Sequence, residues 1–297
     1  MVPCRFDSAN LIKHFYLARC FFCFDEIFLQ YHSLVTNNQK NKFALLKPHE
    51  RMNLVIDAGN TFVKTAVYEN RELIELISSE DISLERIKSL LKMYPIKSVI
   101  ISDVSEKTSV ISAYLTRDYP VIHMSGQTPC PVTIGYSSKE TLGTDRIAAA
   151  AAGAARNPGK NLLIVQVGTC ITYELVNKKG EYIGGSISPG LDMRFKALNT
   201  FTARLPLVKK QEISFLTGKT TIDSLLSGVI NGCVAEIDGI IDQYKEIFPD
   251  ITTVMGGGDT FFFDKRLKNR IFANENLVLD GLNIILDYNS IHAKQKD

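Results

Sequence analysis

The feature that most restricts how this chain folds occurs twice. Residues 53–67, "NLVIDAGNTFVKTAV", run from an apolar stretch through a polar turn carrying Asp57, Gly59, Asn60 and Thr61 into a second apolar stretch. Residues 161–176, "NLLIVQVGTCITYELV", repeat the design, with Gln166 in the place of Asp57, Gly168 in the place of Gly59 and Thr169 in the place of Asn60. An apolar strand, a polar hairpin turn and a returning strand, met twice, predict one lobe built twice. Glycine and short hydroxyl or amide residues in such a turn let backbone N–H groups point outward and approach an anion closely. One copy alone is ordinary hairpin chemistry. Two copies at equivalent lobe positions, with Lys64 just downstream of the first, point to a polyphosphate gripped between facing turns.

The intervening sequence alternates strands and helices. Residues 53–80 read as three strands, turning a second time at Glu69, Asn70 and Arg71. "SLERIKSLLKMYP" has helical spacing at Leu84, Ile87, Leu90 and Leu91, and Pro95 stops it. "KSVIISDV" reads as a buried strand, "TSVISAYLTRDYP" as a short helix and "VIHM" as another strand; a loop from Ser125 to Gly143 then leads into the alanine-rich helix "TDRIAAAAAGAARN". Further on, helices are expected from near Leu191 and over Thr221–Tyr244, and a short strand "TTVM" runs into Gly256, Gly257 and Gly258. This alternation indicates an α/β fold of two similar lobes, 52–157 and 158–297.

Residues 1–51 read differently. They hold three of the five histidines and an aromatic-rich stretch from His14 to Tyr31 that Arg19, Asp25 and Glu26 interrupt, so neither a secretory signal nor a bilayer span is expected there. Met52 is the expected true start, with the preceding residues a non-family extension from a mistaken one. Cys20 and Cys23 have zinc-like spacing but no second pair, and read as apolar filler.

With 34 basic residues against 32 acidic ones and no long run of either sign, neither a nucleic-acid nor a membrane partner is expected. The scattered cysteines suit a reduced, cytoplasmic protein. His123 and His292 read as structural. Leu225, Leu226, Val229, Ile230, Val234, Ile237 and Ile241 give the helix from Thr221 more apolar residues than one lobe face needs, which argues for a homodimer.

The motifs "DAGNTFVK" (Asp57 to Lys64), "GTDR" (Gly143 to Arg146), "VGTCITYEL" (Val167 to Leu175), "GGSISPGLDMRFKAL" (Gly184 to Leu198) and "VMGGGDT" (Val254 to Thr260), in this order, resemble those of the type III pantothenate kinases. That family lies in the actin-like ATPase and sugar-kinase superfamily, and the resemblance runs from Met52 to near the C-terminus. It implies two actin-like (ribonuclease H-like) lobes with a nucleotide site in the cleft between them, and a dimeric kinase that phosphorylates pantothenate with ATP in the first step of coenzyme A biosynthesis. On that resemblance Asp57 holds Mg²⁺, and Gly59, Asn60, Thr61, Lys64, Gly168 and Thr169 hold the phosphates. Gly256 and Gly257 lie against the adenosine. Asp145 is the general base, while Tyr136, Gly143, Thr144, Arg146 and, from the second subunit, Thr221 bind pantothenate. The competing readings are another small-molecule kinase of the superfamily and a non-catalytic regulator related to the Bvg accessory factors; retention of Asp145 and Lys64 favours a working enzyme.

The sequence departs from the family pattern at one point that bears on chemistry. Where the second hairpin of most members reads Asp-x-Gly-Thr and its Asp helps bind K⁺ or NH₄⁺, this chain has Gln166. A glutamine carbonyl can ligate a cation but brings no charge. Glu174, which replaces the Asp ending the same motif, either reaches inward to restore that charge or sits solvated on its strand.

Overall fold

The computed structural model describes residues 52–104 and 106–293, so the expectations for residues 1–51 lie outside the described residues. The first expected strands form as an antiparallel meander, β1 (Met52–Ala58), β2 (Val63–Glu69) and β3 (Glu72–Ser79). Asn70 makes the second turn with φ of 55°, a left-handed conformation that asparagine tolerates. The helix α1 (Leu84–Met93) starts where the Ser83 side chain accepts from the Arg86 N–H at 3.3 Å, and it stops at Tyr94, just before Pro95. β4 (Ile96–Asp103) returns parallel to β1, and after α2 (Ser109–Leu115), β5 (Val121–His123) lies parallel to β4. The sheet order is β3-β2-β1-β4-β5.

A two-residue strand, β6 (Thr133–Ile134), and the alanine-rich helix α3 (Thr144–Arg156) precede the second copy. There β7 (Leu162–Val167), β8 (Cys170–Val176) and β9 (Glu181–Pro189) form the meander, followed by helices α4 (Leu191–Thr200) and α5 (Thr221–Ile247). β10 (Thr252–Gly256) then runs parallel to β7, and after α6 (Thr260–Asp264), β11 (Phe272–Ala273) runs parallel to β10. The resulting order, β9-β8-β7-β10-β11, matches the first sheet strand for strand and sense for sense. The duplicated hairpin of the sequence is therefore a duplicated lobe. β6 adds to the outer edge of β9, so a segment preceding residue 158 belongs to the second sheet.

The layer between the sheets explains the alanine run. One core cluster joins Val55 and Ile100 of the first sheet, Ala148–Ala152 of α3, Leu162 and Ile164 of the second sheet, and Leu282 and Ile285 of α7 (Leu277–Ala293). A side chain on Gly281 of α7 would overlap the Ala148 carbonyl oxygen, so the two helices meet backbone to backbone. Although late in the chain, α7 is tied to the first sheet: Asn53 donates to Asn283 at 2.7 Å and to Asp287 at 2.9 Å, and Tyr68 donates to Asp280 at 2.7 Å.

The far face of the second sheet buries α4 and α5, and this changes the argument for a dimer. Leu226, Val229, Ile230, Ile237 and Ile241 are buried in that lobe's own core, with Val234 packed against it, and Leu225 is buried at its edge, so they are not surplus apolar surface. The exposed apolar side chains lie beside them: Phe201 (85% exposed), Ile222 and Met193. Among the described residues, α5 is the one helix long and apolar enough to cross a membrane by length and composition, and half of its most apolar window is buried inside the protein.

Candidate active site

The site is assembled where the first sheet meets the N-terminus of α3. Asp57, near the end of β1, stands directly across from Lys64 on β2 and beside Ser102 on β4. Ser102 hydrogen-bonds to Asp57, and its Oγ lies 2.9 Å from Oγ1 of Thr144, the first residue of α3. Asp145 follows, so the strand carboxylate and the helix-start carboxylate face the same space, and their charges act on each other. Burial first, and then the charge of Asp145, push the Asp57 carboxyl up to about 6 against the opposing pull of Lys64 and the Ser102 hydroxyl. Asp145 is open to solvent at the surface of the cleft yet crowded by the protein around it, and that desolvation raises its pKa. Two carboxylates with raised proton affinity beside a lysine form an arrangement typical of functional sites.

The two hairpin turns meet. Oγ1 of Thr61 and Oγ1 of Thr169 are 3.2 Å apart, which brings the turns of the two lobes to one place. The turns differ in length: four residues separate β1 from β2, whereas Gly168 and Thr169 alone separate β7 from β8. A Cβ on Gly168 would meet nothing within 4 Å, so the chain itself leaves open space at that backbone. The glycine run after β10 is held against the same turn. A side chain on Gly257, whose φ is +99°, would overlap the Val167 carbonyl oxygen, and one on Gly256 would come within 2.6 Å of the Gln166 amide nitrogen. Gly190 abuts the turn from the α4 side, its N–H donating to the Thr169 carbonyl at 3.0 Å. The helix start expected near Leu191 is thus packed directly on the second turn.

Tyr136 and Arg146 are also brought together, with the guanidinium 5.8 Å from the ring centroid. Gly143 caps α3 immediately before Thr144. Thr221, exposed at the start of α5, has no hydrogen bond linking it to this group. Gln166 lies across the strand pair from Thr172, and the amide nitrogen of the one and the hydroxyl of the other are both buried with no hydrogen-bond partner among the described residues.

Sequence reasoning missed two residues here, Ser102 and Tyr182, and left the place of Glu174 open between two readings. Ser102 sits at the end of a strand that reads as plain core, and only the parallel register shows that it adjoins Asp57. Glu174 matches neither expectation. It is fully buried, and both of its oxygens pair with Arg146, whose Nε and Nη2 each lie 2.7 Å away, so it does not reach inward to supply charge beside Gln166. Tyr182, also fully buried, donates its hydroxyl to the same carboxylate. A glutamate on the same strand face as Thr172 was the one available signal of a buried polar layer.

The family model described as "Type III pantothenate kinase" matches residues 53–243. The chain belongs to the type III pantothenate kinase family. Among its relatives, the type III pantothenate kinase of Christiangramia forsetii is 45% identical over 241 residues, which is 80% of this chain and 99% of the relative. That of Bacteroides fragilis is 42% identical over 240 residues, again 80% of this chain and 99% of the relative. Of the solved structures, a conserved Baf family transcriptional activator from Campylobacter jejuni is 20% identical with a TM-score of 0.50, covering 80% of this chain and 99% of its own, a likeness of fold alone. Family membership and the repeated sheet order together establish the two-lobed actin-like α/β fold of a kinase.

Proposed function

We propose that this protein transfers the γ-phosphoryl group of ATP to the hydroxyl of pantothenate, giving 4′-phosphopantothenate in the first step of coenzyme A biosynthesis. The observation that carries the reading is the junction of Asp57, Lys64 and Asp145 beside two turns that meet at Thr61 and Thr169, in a chain of this family. Phosphoryl transfer calls mainly for positioning and charge stabilisation, and these residues supply both. The backbone N–H groups of Gly59, Asn60, Thr61, Gly168 and Thr169 cradle the phosphates, and Lys64 places a point charge on them. Gly256 and Gly257 keep side chains away from the adenosine. Tyr136, Gly143, Thr144 and Arg146 bind pantothenate, and Thr221 reaches it from a second copy of the chain. Asp145 accepts the proton of the attacking hydroxyl, a task its raised proton affinity suits.

Asp57, with water and the nucleotide's phosphate oxygens, fits a hard divalent cation that keeps part of its water shell, and Mg²⁺ is assigned to it. When bound, Mg²⁺ neutralises phosphate charge and aligns the transferring group. Gln166 fits K⁺ or NH₄⁺ poorly: it carries no charge, its amide nitrogen is a buried unpartnered donor, and the nearby glutamate is committed to Arg146. We therefore assign the enzyme a weak monovalent-cation requirement or none.

The protein is assigned a homodimeric state and a cytoplasmic setting, with no nucleic-acid or membrane partner. Support for the dimer comes from the exposed Phe201 and Ile222 and from the groove between α4 and α5 that Phe201, Ala197 and Leu198 help to line. A coupled ADP-release assay with pantothenate, acetate and hexoses tests the activity. Turnover confined to pantothenate is expected, and turnover only on another acceptor, or none, overturns the reading.

A further inference from the structure

Arg146 and Glu174 form a buried, bidentate ion pair beside Tyr136. Glu174 lies on β8 with no exposed surface, and the Arg146 fork meets it edge to edge through Nε and Nη2, each at 2.7 Å. Such fork-to-carboxylate geometry fixes the plane of the guanidinium as well as its position. Tyr182 donates to the same carboxylate, and its ring meets that of Tyr136 edge-on, with centroids 6.1 Å apart. Directly across the strand from Glu174 stands Gly185, where a Cβ would lie 2.5 Å from Glu174 Oε2 and 3.0 Å from Arg146 Nη2 and would overlap the Tyr173 carbonyl oxygen. The second glycine of "GGSISPG" is thus the absence of a side chain that the ion pair requires.

We propose that Glu174, assisted by Tyr182, is a positioning residue for pantothenate: it holds Arg146 and Tyr136 in the orientation in which they take the substrate. The inference rests on the functional reading above, in which Arg146 and Tyr136 touch pantothenate. The fork uses two of the five guanidinium N–H groups, and the remaining donors keep one fixed direction for a carboxylate-bearing substrate. Tyr182 sets both ends of the arrangement, one through its hydroxyl and the other through its ring edge. Neither Glu174 nor Tyr182 is exposed to the cleft, so both act through their partners.

The test is steady-state kinetics of the full-length enzyme, with ATP and pantothenate varied separately. Tyr182→Phe keeps the ring packing and removes one hydrogen bond to the carboxylate, so the pantothenate KM should rise roughly three- to tenfold while the ATP KM stays within about twofold. Glu174→Gln should raise the pantothenate KM by roughly tenfold or more, and Glu174→Asp, which keeps the charge, should fall between Gln and the unmodified protein. In an Arg146→Ala background, Tyr182→Phe should have no further effect, because its influence passes through the guanidinium. A merely structural role would lower the active fraction and hence kcat with both KM values unchanged, and that result overturns the proposal. If Glu174→Gln yields no folded protein, Tyr182→Phe alone decides by the same criteria. Should Arg146→Ala leave the pantothenate KM unchanged, or the unmodified enzyme not turn pantothenate over, the functional reading itself fails and this inference with it. An Arg146→Ala effect without a Tyr182→Phe or Glu174→Gln effect rejects the positioning role alone.

Discussion

Replacing Asp57 by Asn should make the ligand-free protein more stable at pH 8 while removing its activity. The Asp57 carboxyl is pushed from its usual 3.8 to about 6 by burial and by the charge of Asp145. With each pH unit worth about 1.36 kcal/mol, the ionised side chain opposes folding by about 3 kcal/mol. Because Asp57 keeps some contact with solvent, roughly 1–2 kcal/mol of this should be measurable. The sign follows from where the proton is held more tightly. The folded protein binds it better than the unfolded chain, so this stabilisation is fully present below 3.8 and is lost as pH rises through about 6. Asn carries no such dependence. Its advantage should therefore be largest at pH 8 and shrink by about 1 kcal/mol on descending to pH 5. Urea denaturation of both proteins at several pH values in that range, without nucleotide or divalent cation, measures it. A difference that stays constant with pH, or an Asn variant that loses ground toward pH 8, refutes the reasoning.

Asp145→Asn keeps the shape but removes the proton acceptor, so kcat should fall by roughly 10²–10⁴ with little change in pantothenate binding; a fall of less than about threefold would reduce Asp145 to a helix-start residue. Gly185→Ala should lower stability by about 2–3 kcal/mol in urea titration, since the added methyl group overlaps strand backbone, and a change within about 0.5 kcal/mol would show that β9 can shift to accommodate it. Gln166→Asp should create or strengthen K⁺ activation in a Na⁺-free, Tris-buffered rate assay; strong saturable activation of the unmodified enzyme would count against the weak-cation assignment. Sedimentation at micromolar concentration should give a dimeric mass that Phe201→Glu shifts toward the monomer, and a monomeric mass for the unmodified protein would remove the dimer.

The elements whose signals are local were legible in the sequence. The paired hairpins, the helix ended by Pro95 and the alanine-rich helix opening at Thr144 all depend on neighbours within a few residues. What escaped depends on distant partners. β6 is two residues in a loop rich in proline and glycine, and only the edge of β9 makes it a strand. The apolar face of α5 was visible as periodicity, but periodicity does not say whether a lobe's own core or a second subunit buries it, and here the core does. Glu174 shows the same limit for charge. Its strand position marks a face, while the Arg146 that meets it lies 28 residues earlier on a helix. Of the candidate site, the residues in turns and at the start of α3 were readable because their chemistry is unusual for their local structure. The supporting Ser102 and Tyr182 were not, because each looks like ordinary strand content until the register is known.

The two lobes share their topology but not their electrostatics, and the difference bears on how the proposed reaction divides its work. In the first lobe the residue before the turn is Asp57 and its cross-strand neighbour is Lys64; in the second the corresponding pair is Gln166 and Thr172, both neutral. Of the second lobe's charges, Glu174 is neutralised internally by Arg146, and Asp259, which adjoins the second turn, by Lys210. A polyphosphate held between the turns would therefore meet Asp57 and Lys64 on the first-lobe side and, on the second, dipoles and charges already paired within the lobe. At about 4 Å and an effective dielectric near 20, one carboxylate is worth about 4 kcal/mol per unit of cation charge, so a divalent ion accompanying the nucleotide would be held by Asp57 rather than by Gln166. Asp57 would hold such an ion on the first-lobe side, leaving Asp145 at the start of α3 to take the proton of the attacking hydroxyl. A cation held at Asp57 would offset the repulsion between Asp57 and Asp145 that opposes folding in the free protein, and that penalty would reappear as affinity for the metal-bound nucleotide.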